Sequence, residues 1–345
     1  MTDTGIDTAA AAGLEYVSDD DGACIRRRRR GRGWEYTGAD GERIEEPGER
    51  ERIAAIAIPP AWTDVWICPT PDGHILATGR DSKGRKQYRY HPDFRAARDE
   101  TKFERLPTFG RALAHLRSVA DEQLSARGIG REKVLALVVV LLDRTLIRIG
   151  NDASAAEESF GLTTLRDEHV DVEGSAIRLQ FNAKGGAEHT AALRDRRLAT
   201  VVRACDELGG HELFAYEDDE GSIVDVSSSD VNEYLREITG EAITAKDFRT
   251  WGGTVEAARS LADQGWDEDP AERERRIIVA VDAAAERLDN TRAVARASYV
   301  HPAVIDSFDD GSLLDAWRVA RSRGALDRAE RTVLRVLEPD AARRS

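Results

Sequence analysis

Two kinds of periodicity divide the chain near residue 95. Ahead of that point, short runs alternate apolar and polar positions and are broken by Gly-, Pro- and Asp-rich turns. Behind it, apolar residues recur at helical spacing over longer stretches. In the first part, residues 34–37 and 42–44 flank Gly38-Ala39-Asp40-Gly41 and read as a hairpin. A short helix is expected over 47–55. Residues 65–68 and 74–78 flank a second turn, and 86–90 read as a last strand. There Gln87 and Arg89 should face one way, and Lys86, Tyr88 and Tyr90 the other. Residues 1–25 are small, polar and aperiodic, which predicts a disordered tail.

In the second part the spacing predicts helices over 109–124 and 133–147, separated by Gly128-Ile129-Gly130. Three β-like runs follow at 170–172, 177–182 and 189–192. The last two are joined by a turn containing Ala183-Lys184-Gly185-Gly186, which sets Lys184 on a hairpin tip. Helices resume over 194–208, 229–238, 246–261, 271–288 and 291–299, and Thr244 with Asp247 resembles a capping box. The expected fold is α+β. A tail (1–25) and a small antiparallel β-sheet domain (26–95) precede a larger, mainly helical domain (96–345) with a small sheet.

Composition narrows the class. The longest apolar run, 134–142, is far short of the roughly 20 residues of a membrane helix, and the N-terminus shows no apolar signal core. Three widely spaced cysteines, with no Cys-x-x-Cys pair and no His cluster, predict a reducing cytoplasm and neither a disulfide frame nor a metal site. The net charge of −14 opposes nucleic-acid binding only if it is evenly spread, and it is not. Arg26–Arg30 with Arg32 suggest a flexible phosphate-binding arm, and Arg80, Lys83, Arg85, Lys86 and Arg89 form a second basic cluster.

The stretch Gly79-Arg80-Asp81-Ser82-Lys83-Gly84-Arg85-Lys86 has P-loop glycine spacing but lacks the closing Gly-Lys-Ser/Thr, so no nucleotide site is expected. With Gln87, Tyr88 and Tyr90 interleaved, it reads as a basic, aromatic strand that grips DNA. The candidate chemistry lies downstream, in the order Arg148, Lys184, Arg249, Asn290, Tyr299. Singly, each has an ordinary reading. Arg148 would be a cation at a helix end, Lys184 a loop lysine, Arg249 an ion-paired arginine, Asn290 a cap and Tyr299 a core tyrosine. Together they suit a tyrosine oxygen attacking a phosphodiester. Two guanidinium forks neutralise the phosphoryl oxygens, an ammonium protonates the leaving oxygen, and an amide adds a hydrogen bond.

At these residues the chain resembles the type IB DNA topoisomerases, most closely the bacterial and poxvirus-like branch. Further blocks carry the likeness: Arg32-Gly33-Trp34-Glu35-Tyr36, Ile58-Pro59-Pro60-Ala61-Trp62 and Gly84-Arg85-Lys86-Gln87-Tyr88-Arg89-Tyr90-His91-Pro92. Many members carry His where this chain has Asn290. The resemblance implies relaxation of supercoiled duplex DNA through a 3′-phosphotyrosyl link on Tyr299, with Arg148, Lys184, Arg249 and Asn290 as its helpers. It also implies no metal, no nucleotide cofactor, and a monomer that closes on DNA as a clamp, in the cytoplasm and associated with the nucleoid. DNA contacts are expected from Arg80, Lys83, Arg85, Lys86, Gln87, Tyr88, Arg89, Tyr90 and Lys246. Two rivals remain: a tyrosine recombinase, which typically carries His at the position of Lys246, and a non-catalytic DNA-binding protein of the same fold.

Overall fold

The computed structural model describes residues 4–20, 24–31, 33–82, 84, 86–151, 155, 158–183 and 186–338. The chain forms two compact units, Met1–Glu104 and Arg105–Ser345.

In the first unit α1 (Thr4–Ala11) precedes β1 (Ile25–Arg30), β2 (Gly33–Thr37), α2 (Pro47–Ala55), β3 (Thr63–Ile67), β4 (Ile75–Arg80), β5 (Lys86–Tyr90) and α3 (Pro92–Glu104). The five strands form one sheet in the order β2-β1-β3-β4-β5, and every pair is antiparallel. Its core is built from Ile25, Val65, Ile67 and Ala77 of the sheet, with Ile53 and Ile56 from α2 and the residue after it.

The arginine run is therefore a strand and not a flexible arm. Arg26–Arg30 pair with Gly33–Thr37, so β2 satisfies their backbone, although the side-chain pattern carries no strand signal. Arg27 is structural. Its guanidinium lies 3.9 Å from the Trp34 ring centre and donates to the carbonyls of Ile58, Pro59 and Trp62 at 2.9–3.3 Å. Arg32 lies outside the described residues.

Where a disordered tail is expected, α1 forms and the following segment docks. The Glu15 N–H donates to Asp72 O, and Glu15 O accepts from the His74 N–H. Tyr16 stacks on His74 with ring centres 4.2 Å apart. The unit extends past 95 because Phe94 of α3 packs on His74 and Tyr90, with ring centres 4.8 and 5.6 Å apart.

The second unit is mainly helical: α4 (Leu106–Leu124), α5 (Arg131–Thr145), α6 (Arg196–Leu208), α7 (Ser228–Thr239), α8 (Ala245–Gln264), α9 (Pro270–Arg287), α10 (Arg292–Ser298), α11 (Pro302–Asp309), α12 (Ser312–Val319) and α13 (Arg328–Leu337). An antiparallel sheet, β6 (Val170–Glu173), β7 (Ala176–Asn182) and β8 (Glu188–Arg194), is joined by a short hairpin of β9 (Ala215–Glu217) and β10 (Ile223–Asp225). α5 is the central helix, with its apolar run buried almost all round, which explains why its sequence shows so little polar relief. Sequence patterning located α4 through α10 but not β9, β10, α11, α12 or α13.

Candidate active site

Arg148 is placed by an abrupt chain reversal. α5 ends at Leu146 in the left-handed region (φ 56°), with its N–H on Leu142 O. The next residues are then pinned to the short 3-10 turn Leu162–Thr164: Arg148 O accepts from the Leu162 N–H (2.9 Å) and Ile149 O from the Thr163 N–H (2.8 Å). The two segments can approach this closely only because Gly161 has no side chain. A Cβ there would lie 2.4 Å from Gly150 N and 2.6 Å from Arg148 O.

Arg249 sits in the first turns of α8. The expected capping box is present, since the Asp247 carboxylate accepts from the Thr244 N–H (2.8 Å) and hydroxyl (3.0 Å). Arg249 is 4% exposed and is held by backbone, with Nη1 donating to Leu146 O and Nη2 to Leu288 O (2.8 Å). Its Nε finds no acceptor among the described residues. Burial lowers its pKa from the ordinary value, but an arginine keeps its charge throughout the physiological range.

Asn290 follows the end of α9, after Asp289 at φ 50°. Its Oδ1 accepts from Arg148 Nη2 (2.8 Å), and its Nδ2 donates to Leu288 O (3.2 Å), the carbonyl that also receives Arg249. Tyr299 closes α10, and the Arg249 guanidinium carbon is 5.0 Å from its ring centre. Burial raises the Tyr299 phenol pKa, but Arg249, Arg148 and Lys246 together outweigh it and leave the phenol below its ordinary range.

Four of the five expected catalytic residues are thus brought together in the second unit. Lys184 lies outside the described residues; on either side of it the Ala183 N–H donates to Ala187 O and the Gly186 N–H to Ala183 O. Ala183, His189, Arg148 and Arg249 line one small concavity. His189, to which the sequence assigns no chemistry, has its Nδ1 3.3 Å from Asp289 Oδ2 and so ties β8 to the Asn290 turn.

Two further residues were not visible as site components. Thr254 Oγ1 lies 3.0 Å from Tyr299 O and accepts from the His301 N–H (3.1 Å). A Cβ at Gly253 would lie 3.0 Å from Tyr299 O and 2.8 Å from Leu288 Cδ1. The Gly252-Gly253-Thr254 stretch, immediately after Phe248-Arg249-Thr250-Trp251, was the available signal. Among the described residues, no three His, Cys, Asp or Glu side chains are grouped to hold a metal ion.

The expected DNA-contacting residues other than Lys246 belong to the first unit, and several are already engaged. Lys86 Nζ is 2.7 Å from Asp19 Oδ2, and Asp19 also accepts from the Thr78 hydroxyl. Arg89 donates to Ala57 O (2.9 Å), Gln87 to Asp81 (3.1 Å) and Arg80 to Gly84 O (2.9 Å). Tyr88 is exposed and stacks on Tyr90 with ring centres 5.7 Å apart, both on the Lys86 face as expected. Lys83 and Arg85 lie outside the described residues. Lys246 opens α8 in the second unit, where its charge acts on the Tyr299 phenol.

A helical unit that sets two guanidinium groups, an amide and a tyrosine around one point has the groups suited to phosphoryl transfer. Residues 91–315 match the family described as eukaryotic DNA topoisomerase I, catalytic core, and residues 33–81 match the bacterial DNA topoisomerase IB N-terminal domain. The chain is 32% identical over 258 residues to the DNA topoisomerase 1B of Acanthamoeba polyphaga mimivirus, covering 72% of this chain and 77% of that protein. It is 21% identical over 248 residues to the DNA topoisomerase 1B of vaccinia virus, covering 70% and 74%. The chain belongs to the type IB DNA topoisomerase family, whose members are DNA-acting isomerases. No helix among the described residues is long and apolar enough to cross a membrane.

Proposed function

We propose that the chain relaxes supercoiled duplex DNA with Tyr299 as its nucleophile. The Tyr299 oxygen gives up its proton to water and bonds to a backbone phosphorus. The bond to the 5′-oxygen breaks, and Lys184 protonates that oxygen as it leaves. The product is a 3′-phosphotyrosyl link and a free 5′-hydroxyl. Arg148 and Arg249 neutralise the charge that builds on the phosphoryl oxygens, and the open N–H of Asn290 adds one hydrogen bond. Rotation of the nicked duplex relaxes supercoils, and the 5′-hydroxyl then attacks phosphorus to expel Tyr299. The covalent link conserves the phosphodiester energy, so ATP is not required, and no metal is obligatory. A single chain closing on DNA as a clamp suffices, acting on the nucleoid in the cytoplasm.

The observation that carries this reading is the convergence of Arg249 and Asn290 on Leu288 O, with Arg148 on the Asn290 amide oxygen, beside Tyr299. A guanidinium has five N–H donors. Two of Arg249's are held by carbonyls, which fixes its fork beside Tyr299. The test is relaxation of supercoiled plasmid in EDTA without ATP, with Tyr299→Phe alongside. Relaxation by the native chain and a covalent protein–DNA adduct absent only from Tyr299→Phe are expected. An adduct formed by the Phe variant would remove Tyr299 from the role. Strand exchange between paired sites without relaxation would make the chain a recombinase, and binding alone would make it non-catalytic.

A further inference from the structure

Thr254 is a fully buried residue on the helix that carries Arg249, and its hydroxyl faces three backbone groups. It lies 2.8 Å from Thr250 O and 3.0 Å from Tyr299 O, and it accepts from the His301 N–H at 3.1 Å. A threonine that only returned its proton to the preceding turn would need no partner outside its own helix. This one grips the chain on both sides of Val300, spanning the residue proposed as nucleophile and the cap of α11. Gly253 beside it lets the Tyr299 backbone come close. The Tyr299 N–H is held separately, on Ala295 O.

We infer that Thr254 is a positioning residue for the cleavage reaction: its hydroxyl fixes the Tyr299 backbone against α8, and so sets the reach from the tyrosine oxygen to a phosphate held by Arg249. The inference rests on Tyr299 being the nucleophile. Tyr299 caps the C-terminus of its short helix, with φ −135° and ψ −14° outside helical values. Intrahelical bonds therefore do not fix its carbonyl, which lies within reach of the one Thr254 hydroxyl proton, shared with Thr250 O. A displacement of about 1 Å at a nucleophile is enough to slow a positioned reaction about 100-fold.

The experiment compares Thr254→Val, which keeps the shape and loses the hydroxyl, with Thr254→Ser, which restores it. Single-turnover cleavage and religation are measured below each variant's melting transition. Thr254→Val should slow both steps by about 10- to 100-fold, leaving the cleavage equilibrium and DNA affinity within about twofold, and Thr254→Ser should recover most of the rate. A substrate with sulfur at the 5′-bridging position should not rescue Thr254→Val, because leaving-group protonation is intact. A native cleavage rate in the Val variant, or equal losses in Val and Ser that follow melting temperature, would overturn the inference while leaving Tyr299 in place. An adduct from Tyr299→Phe would instead sink the reading on which it rests.

Discussion

Arg148 and Asn290, 142 positions apart in the chain, are joined by a 2.8 Å hydrogen bond from the guanidinium to the amide oxygen. That bond settles which way the amide points. Its oxygen is spent on Arg148 and one N–H on Leu288 O, so the other N–H is what Asn290 offers to a substrate.

Asn290→Asp should retain the Arg148 contact but lose both N–H donors and place a negative charge where phosphoryl charge builds. Single-turnover cleavage is expected to fall by more than about 100-fold, against about 10- to 100-fold for Asn290→Ala. Equal rates for the two variants would put the phosphate out of this side chain's reach.

Gly253→Ala should slow cleavage by about tenfold or more with little change in DNA affinity. The new Cβ would meet Tyr299 O at 3.0 Å, and a backbone atom cannot swing aside as a side chain can. At Gly252 the nearest atoms belong to the Leu146 side chain, so Gly252→Ala should be milder. Quenched cleavage time courses on the two variants check the order, and the reverse order would contradict it.

The pH profile of cleavage follows from the phenol. Because the surrounding cations outweigh burial and lower its pKa, the phenolate fraction at a given pH exceeds that of an ordinary tyrosine. The rising limb of the cleavage rate should therefore level off below pH about 10. Arg148→Ala removes one of those cations and should move the limb to higher pH. Both states hold a neutral phenol near neutrality, so this shift adds to fold stability only in alkali. A limb that stays in place in Arg148→Ala would show that the phenol does not feel that charge.

Asp19 holds Lys86 across 67 positions of sequence. Its carboxyl is partly buried, which raises its pKa, but Lys86 and Thr78 overcome this and keep it below the usual range. The contact is therefore present at neutral pH and is lost only as acid protonates the carboxylate. Asp19→Asn should free Lys86, tighten DNA binding at low salt, and steepen the log–log salt dependence by up to about 1. Titrations of binding against salt measure the slope, and an unchanged slope would leave Lys86 off the DNA path.

Much of this was legible from local pattern. β5 and α2 have the bounds expected of them, and the Thr244–Asp247 cap and the turn at Lys184 are consequences of residues a few positions apart. What was missed depends on distant partners. β1 is a strand because β2 and β3 pair with it, and a row of arginines carries no alternation to announce that. The docking of Tyr16 on His74, the neutralisation of Lys86 and the grip of Thr254 on Tyr299 each join residues without periodic relation. The four side chains proposed as catalytic were identifiable by their chemical types and order, whereas the carbonyls of Leu146 and Leu288 that hold Arg249 leave no mark in side-chain chemistry.

Family similarity ends at residue 315, but the architecture does not. Glu330 on α13 is 6% exposed and receives Arg117 of α4 (2.7 Å) and the indole N–H of Trp251 (3.4 Å), two residues beyond Arg249. Arg117 meanwhile spans to Asp143 on α5. The last helix is thus a keystone set outside the recognisable arch. A fragment cut after residue 315 would leave Arg117 and Trp251 without the carboxylate they share.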